Sequence, residues 1–279
     1  MKFLFFLFAL SVLAFAADDG CTSTSVCTTP QQGSDDIELT LINDWTLSGK
    51  ALGVDIFEDG STIYILGVNN VEGYIQAYDE AGGTLATMPL AAANGSCFGV
   101  AWNYDPVDDT YYTDDWADNV LYFTDDFGVT WSTEPNPAGG SGRGMDFDGA
   151  DYWMTSGTGG GLWRFQPGVG QENIAIPEVS TQPSGLTVFP NGANLGIALA
   201  AYNDNNIYFY DWDGSTMSFL GSALCPATNA GSYGLGYCSI NEHIYWAYRE
   251  GADTYHLAEF SFNLASLEPS TWGSIKDSF

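Results

Sequence analysis

Five short segments, each opened by a glycine that apolar residues follow, recur along the chain at intervals of 41 to 49 residues. The glycines are Gly53, Gly99, Gly144, Gly185 and Gly234. Each is followed by several short strand-like runs, and no helical periodicity accompanies them. Repeats of about 40 to 50 residues that each hold several strands are typical of a β-propeller, in which one repeat forms one four-stranded blade. The sequence therefore predicts an all-β protein, a propeller of five blades.

Turn residues between apolar runs predict the strands within each repeat. In the first repeat these strands cover residues 53–57, 62–67, 73–78 and 84–90. The second and third strands of the later repeats are predicted at 110–113 and 120–124, 151–156 and 161–165, 196–201 and 206–210, and 243–249 and 255–262. Aromatic side chains are frequent in these strands and are expected to fill the spaces between blades.

The segment 36–47 (DIELTLINDWTL) has strand character but no repeat of its own. We expect it to complete the sheet of the last blade and so close the ring, which would also remove an exposed sheet edge. The alternative is that it begins a degenerate extra blade, which would make six.

Both ends of the chain carry segments outside the repeats. Lys2, the apolar run 3–13 and the small residues that follow it predict a secretory signal peptide over residues 1–16. A flexible leader rich in Thr and Ser is expected at 17–34, and the propeller domain at 35–279. The ending 268–279 has apolar residues at helical spacing and contains TWGSIK, which resembles the endings of exported bacterial proteins. We expect a secreted protein, extracellular or periplasmic, without membrane insertion.

The chain is strongly acidic, with 35 Asp and Glu against 6 Lys and Arg and a net charge of −29. Such a field repels phosphates and anionic lipids, so we do not expect a nucleic-acid partner. Solvated acidic surface explains most of the charge. The expected partner is an extracellular glycan or protein, and the sequence leaves the oligomeric state open.

An exported protein meets an oxidising environment, so its five cysteines are candidates for disulfides. Proximity in sequence suggests the pairs Cys21–Cys27 and Cys225–Cys238, although spacing alone does not fix connectivity. Cys97 remains, either as a small buried apolar residue or as a reactive thiol near the channel.

One hairpin motif follows the pattern S/T-x-D-x-G-x-T-W at every defined position, in Thr124, Asp126, Gly128, Thr130 and Trp131. It resembles the Asp-box of sialidase-type propellers. The carboxylate would bind backbone N–H groups of the turn, and the glycine would take a positive φ, so the expected role is structural.

The resemblance does not extend to sialidase activity. That family binds the sugar carboxylate with three arginines, and this chain has only Arg143, Arg164 and Arg249. Arg143 precedes an inner strand, but Arg164 is predicted in a third strand, away from the axis. Fold resemblance by itself does not carry function.

Asp55 and Asp146 occupy the same place, two residues after the repeat glycine, in the first and third repeats. Two inner-strand acids resemble the acid and base of five-bladed glycosidases, so a glycan-active hydrolase is one hypothesis. The alternative, which we favour, is that both carboxylates are solvated or hydrogen-bonded residues of the channel.

Metal sites are not predicted. Residues 146–151 and 211–214 place carboxylates before a glycine as calcium loops do, but neither continues to a distal Glu, and hairpin turns explain both. Calcium therefore stays an open option, and no other cofactor is expected. His243 and His256 have no partner at the spacing of zinc ligands.

The sequence favours a secreted binding or surface-interaction module without catalysis of its own. The expected ligand site is one mouth of the channel, lined by strand openings and adjoining loops. The candidate residues are Asp55, Trp102, Trp116, Arg143, Asp146, Trp153 and Tyr233, with Trp116 and Trp153 as faces on which a sugar could stack. The alternatives are the hydrolase and a structural component of an extracellular assembly, which would offer the edge of segment 36–47 to a neighbour.

Overall fold

The computed structural model describes residues 37–103, 109–157, 161–179, 182–225 and 231–264. These residues form twenty strands and, within the described ranges, no helix. The first strand is β1 (Glu38–Leu47). Blade 1 contains β2 (Val54–Asp59), β3 (Thr62–Asn69), β4 (Tyr74–Tyr78) and β5 (Thr84–Pro89). Blade 2 contains β6 (Val100–Asn103), β7 (Thr110–Thr113), β8 (Val120–Thr124) and β9 (Ser132–Pro135).

The remaining strands follow the same order. Blade 3 contains β10 (Gly142–Phe147), β11 (Tyr152–Ser156), β12 (Gly161–Gln166) and β13 (Gly170–Ile174). Blade 4 contains β14 (Pro183–Asn191), β15 (Asn194–Ala201), β16 (Asn206–Trp212) and β17 (Met217–Leu224). Blade 5 contains β18 (Gly231–Cys238), β19 (His243–Glu250) and β20 (Thr254–Asn263). Every blade is an antiparallel sheet of four strands, so the five-bladed propeller is confirmed and the six-bladed alternative is wrong.

The ring is closed by the N-terminal strand. β1 pairs antiparallel with β20 and becomes the outer strand of blade 5, with Glu38 opposite Asn263 and Leu47 opposite Tyr255. The last blade thus combines both ends of the described chain, as the strand character of segment 36–47 predicted.

Apolar side chains fill the spaces between blades. Trp246, Phe260 and Phe209 are fully buried in one cluster between blades 4 and 5. Between blades 3 and 4, the rings of Trp153 and Trp212 meet edge to face with centroids 5.8 Å apart. Aromatic residues therefore contribute large apolar areas to the contact between neighbouring sheets, together with aliphatic side chains.

The five repeat glycines form a ring of close backbone contacts around the axis. A β-carbon on any of them would overlap a backbone atom of the next blade; the overlapped atoms are Phe98 O, Arg143 O, Leu186 N, Tyr233 O and Val54 N, in the order of the glycines. Only glycine lets two backbones approach so closely. The sequence repeat therefore marks the level at which the inner strands touch.

The turn between β8 and β9 is held by side-chain hydrogen bonds. The Asp126 carboxylate accepts bonds from Thr130 N at 2.8 Å and Thr130 Oγ1 at 2.7 Å. Gly128 has a φ of 79°, and its N–H donates to Thr124 Oγ1. The Trp131 indole donates to Pro89 O at 3.2 Å, so this turn also docks on blade 1.

The proposed Cys225–Cys238 disulfide is not formed. Cys225 follows the outer strand of blade 4 and Cys238 ends the inner strand of blade 5, and both are buried free thiols. The two cysteines therefore lie on different strands of neighbouring blades. Cys97 is also a buried free thiol, and burial raises the pKa of all three, which keeps them protonated.

Several predictions concern other parts of the chain. The signal peptide, the leader with Cys21 and Cys27, and the ending 268–279 lie outside the described residues. Within the described residues, no helix is long and apolar enough to cross a membrane.

Candidate functional site

One end of the propeller axis gathers polar and aromatic side chains from several blades. In each blade the inner strand begins at the same end at which the second strand finishes, because the two strands are antiparallel neighbours. We call this end the opening mouth and define it by Phe98, Trp116, Arg143, Tyr202 and Tyr233. Phe98, Arg143 and Tyr233 each directly precede a repeat glycine.

Arg143 lies among aromatic rings at the opening mouth. Its guanidinium carbon is 4.2 Å from the ring centroid of Trp116, 5.2 Å from that of Phe98 and 5.4 Å from that of Tyr202. Its Nη2 donates to Gln182 Oε1 at 2.9 Å. Side chains of blades 2 and 4 therefore hold a cation that extends from blade 3.

The guanidinium of Arg143 is not fully paired. The side chain is 6% exposed, and its Nε and Nη1 are buried without a hydrogen-bond partner. Among the described residues, no carboxylate lies within 4.0 Å of it. Burial lowers its pKa, and the charge of Asp114 opposes this effect. Buried polar groups of this kind are normally satisfied, so the unpaired N–H groups are a feature to be explained.

Asp114 lies beside this arginine and is fully buried. Its Oδ1 accepts hydrogen bonds from Phe98 N at 3.0 Å and Gly99 N at 2.7 Å, whereas its Oδ2 has no partner. Burial raises the pKa of this carboxyl to about 7. Asp114 thus fixes the backbone that carries Phe98 and leads into the glycine ring.

Trp116 is held by its neighbours in the chain. The Asp115 carboxylate accepts bonds from Ser96 N at 3.0 Å and Ala117 N at 2.6 Å. The Trp116 N–H donates to Ser96 O at 3.0 Å, and its carbonyl accepts a bond from Ser141 N at 3.2 Å. The backbone of Trp116 is therefore fixed by the loops that enter blades 2 and 3.

Blades 1, 4 and 5 contribute tyrosines and two more cations. The ring of Tyr233 lies 5.6 Å from that of Tyr202 and 6.2 Å from that of Tyr255. Arg249 donates to Tyr202 OH at 3.4 Å, and Lys50 Nζ lies 5.9 Å from the Tyr255 ring centroid. Lys50 and Arg249 are half-buried. Three of the six basic residues of the chain, including Arg143, therefore lie at this end.

Arg164, unlike the three cations of the opening mouth, lies away from the axis and is paired with carboxylates. It lies in β12 of blade 3, as predicted, with its guanidinium 2.5 Å from Asp151 and 3.8 Å from Glu172. These residues line a surface depression of about 270 Å³ on the outer part of blade 3. The charge of Arg164 is neutralised there and does not reach the axis.

Asp55 and Asp146 connect different pairs of blades. Asp55 Oδ2 accepts a hydrogen bond from Trp102 N at 2.6 Å and so joins blade 1 to blade 2. Asp146 Oδ2 accepts bonds from Thr187 Oγ1 at 2.8 Å and Val188 N at 2.7 Å, which joins blade 3 to blade 4. Both side chains are buried, 6% and 8% exposed.

Burial is the main cause of the perturbed pKa of both acids. It raises the pKa of Asp146 to about 6, against the opposing hydrogen bonds from Val188 and Thr187. It raises the pKa of Asp55 well above its usual value, and the charge of Asp146 adds to the rise. The two carboxylates thus influence each other but serve separate blade interfaces.

The two other predicted tryptophans lie between blades. Trp153 is fully buried, and its indole donates to Asp148 Oδ2 at 2.7 Å, so it offers no face to a ligand. The half-buried Trp102 packs against Phe57 with ring centroids 4.2 Å apart. Of the predicted ligand residues, the structure brings Trp116, Arg143 and Tyr233 together at the opening mouth.

Acidic loops and histidines have other partners. Asp148 Oδ1 accepts bonds from the Ala150 and Asp151 N–H groups and so closes a turn. His243 contacts Glu259 at 2.7 Å, and His256 contacts Asp44 of β1 at 3.0 Å. Over the described ranges, no group of three His, Cys, Asp or Glu residues is arranged to hold a metal ion.

Comparisons with known proteins support the fold. No family model and no curated protein matches the sequence. Glutaminyl cyclase from Myxococcus xanthus is similar in structure, with a TM-score of 0.55 and 14% identity over 82% of this chain and 97% of that chain. A nidogen/laminin complex gives 0.51 and 13% over 71% and 74%, and a putative gluconolactonase gives 0.51 and 12% over 81% and 93%. At such identities the likeness establishes a β-propeller and nothing about activity.

Proposed function

We propose that the protein is an exported binding module without catalysis of its own, and that an extracellular glycan docks at its opening mouth. The observation that carries this proposal is the convergence of Phe98, Trp116 and Tyr202 around the incompletely paired Arg143. Sites that combine aromatic faces with a few polar groups are the usual form of small-ligand sites.

The anchoring of Trp116 supports this role. Phe98, Trp116 and Tyr202 are half-buried, so each keeps part of its surface accessible. Backbone bonds to Ser96 and Ser141 fix the backbone of Trp116, and the Arg143 guanidinium packs 4.2 Å from its ring centroid, so little conformational entropy is lost when a ligand covers the indole. A preorganised aromatic face is suited to the apolar face of a sugar ring.

The hydrolase alternative has weaker support. A glycosidase needs two carboxyl groups that reach the same scissile bond. Asp55 and Asp146 are instead buried and bound to the backbones of β6 and β14. The similar folds include a glutaminyl cyclase, a putative gluconolactonase and a nidogen/laminin complex, so fold likeness favours neither catalysis nor binding.

Export is part of the proposal. It is supported by the charged and apolar pattern of residues 1–16. A net charge of −29 further favours ligands other than nucleic acid. The structural-component alternative would use the outer edge of β1, but each of the other blades also ends in an outer strand, so nothing distinguishes that edge.

A glycan array with matched tryptophan variants tests the proposal. We expect the purified mature protein to bind at least one glycan and Trp116→Ala to weaken that binding about tenfold or more. Trp131→Ala is the control, because Trp131 lies at the β8–β9 turn, and it should bind as the wild type does. Calcium is varied in the same assay.

Release of reducing sugar is measured on every glycan that binds. Turnover that is lost in Asp55→Asn or Asp146→Asn would overturn the non-catalytic role. If Trp116→Ala binds as tightly as the wild type, the site lies elsewhere. If no glycan on the array binds, the proposed ligand class is wrong.

A further inference from the structure

Basic residues are unevenly distributed in this acidic chain. Lys50, Arg143 and Arg249 lie at the opening mouth, and within the part of the chain that the structure describes none of them has a carboxylate within 4.0 Å. Arg164, on the outer part of blade 3, has two. In a protein of net charge −29, three cations without a carboxylate within 4.0 Å create a local site for negative charge at this end of the axis.

The guanidinium of Arg143 is held in a fixed orientation at the opening mouth. Its orientation is fixed by Gln182 and by the faces of Trp116 and Phe98, while Nε and Nη1 retain unused N–H groups. A guanidinium that is 6% exposed loses much of its hydration, and such a group is stabilised when oxygen acceptors replace the water. Carboxylate oxygens match the planar guanidinium in geometry.

The acids nearest to the arginine form no ion pair with it within 4.0 Å, although the charge of Asp114 acts on it. Asp114 Oδ1 is bound to the N–H groups of Phe98 and Gly99. The carboxylate of Asp115 accepts bonds from Ser96 and Ala117. Neither accepts a hydrogen bond from Nε or Nη1 of Arg143, and both of these nitrogens are buried without a partner.

The charge and shape of the protein restrict the anion. A chain of net charge −29 repels polyanions at long range, so a single negative charge is favoured over several. Below the mouth, the ring of repeat glycines brings the inner strands into backbone contact, and no side chain separates them. A ligand would therefore enter by its end rather than thread the axis.

We infer that the opening mouth binds the carboxylate of a uronate residue at the end of an otherwise neutral oligosaccharide. The carboxylate forms an ion pair with Arg143. Lys50 and Arg249 provide long-range attraction, and Trp116 and Tyr202 contact the sugar ring. This inference rests on the proposed function, since it names the ligand class of the same site.

Calorimetric titration with two matched disaccharides tests the inference. One carries glucuronate at its non-reducing end, and the other carries glucose there, so the pair differs in the carboxylate alone. We expect the wild type to bind the uronate at least tenfold more tightly and the difference to shrink as NaCl is raised. Arg143→Met should abolish the preference, and Arg164→Met should keep it.

A second variant covers the case in which Arg143→Met does not fold. Arg249→Met changes a half-buried residue at the edge of the mouth and should reduce the preference several-fold. Circular dichroism on each variant separates loss of binding from loss of fold.

The outcomes separate this inference from the proposed function. Equal binding of both disaccharides, weakened by Trp116→Ala, would overturn the carboxylate inference and leave the glycan module intact. Absence of binding to either sugar would overturn the carboxylate inference, whereas the glycan module is contradicted only if no glycan of the array binds. Tighter binding of a short acidic peptide than of the uronate would overturn the ligand class.

Discussion

Buried carboxylates near the axis hold strands together. Asp55 and Asp146 accept N–H groups from the next blade, and Asp114 accepts two N–H groups at the start of an inner strand. Each bond satisfies a backbone donor that would otherwise be buried without a partner. The price is desolvation of the acid, which is visible as a raised pKa at all three positions.

Asp114 should make stability fall as the pH rises. Its pKa is about 7 in the folded protein and near 4 in an unfolded chain, so the folded state holds the proton longer. Between these values, deprotonation favours the unfolded state, by up to about 4 kcal/mol. We expect Asp114→Asn to flatten the decline of the free energy of unfolding between pH 4 and 7, as measured by urea denaturation.

The variant Asp126→Asn is the comparison, because the pKa of Asp126 is lowered whereas that of Asp114 is raised. Hydrogen bonds from Thr130 lower the pKa of Asp126, so this acid stabilises the fold at neutral pH and loses that effect in acid. Its removal should therefore cost stability by a similar amount from pH 5 to pH 7, and this cost should fade below about pH 4, where the carboxyl of the wild type is protonated as well. A curve for Asp114→Asn that parallels the wild type would contradict the role given to Asp114.

At the level of strands, the sequence predicted most of the fold. The second and third strands of blade 2 were placed at 110–113 and 120–124, and β7 and β8 have these bounds. Such agreement is possible because strand patterns and turn residues are local. The closing role of β1 also followed from a local pattern combined with the count of repeats.

The site was predicted only in part, because it is assembled from separate repeats. Arg143 and Tyr233 were found because each precedes a repeat glycine. Asp114, Tyr202 and Arg249 were missed, although each lies at or just after the end of the second strand of its repeat. Aligning strand ends across repeats would have revealed them. Their contacts, however, depend on how the blades are arranged around the axis, which no local pattern specifies.

The glycine ring should be intolerant of any side chain. In Gly185→Ala, the new β-carbon would overlap the Tyr233 carbonyl oxygen, and two inner strands would have to separate. We expect a loss of about 3 kcal/mol or more in the free energy of unfolding, or failure to fold. Gly170→Ala is the matched control, since a β-carbon there meets no atom within 4 Å. Similar unfolding midpoints for the two variants would contradict the ring as a close-packed element.

For the whole molecule, charge is the dominant property. A net charge of −29 makes the folded chain repel itself, and salt screens that repulsion. We expect the thermal midpoint at pH 7.5 to rise by several degrees between 10 and 200 mM NaCl. Near pH 4.1, the isoelectric point, the same change in salt should have little effect on the thermal midpoint. A midpoint that does not change with salt at either pH would contradict self-repulsion.

Because β1 closes the ring, the propeller cannot complete its fold until β20 has been synthesised. A ribosome or a translocation pore delivers β1 first, yet its partner β20 is among the last strands to appear. Until then β1 has a hydrogen-bonding edge without its native neighbour, and blade 5 cannot form. The last pairing spans nearly the full described chain, a long-range contact that slows folding. Nascent chains stalled before residue 254 should therefore lack the protease resistance of the completed molecule, however many blades have already emerged.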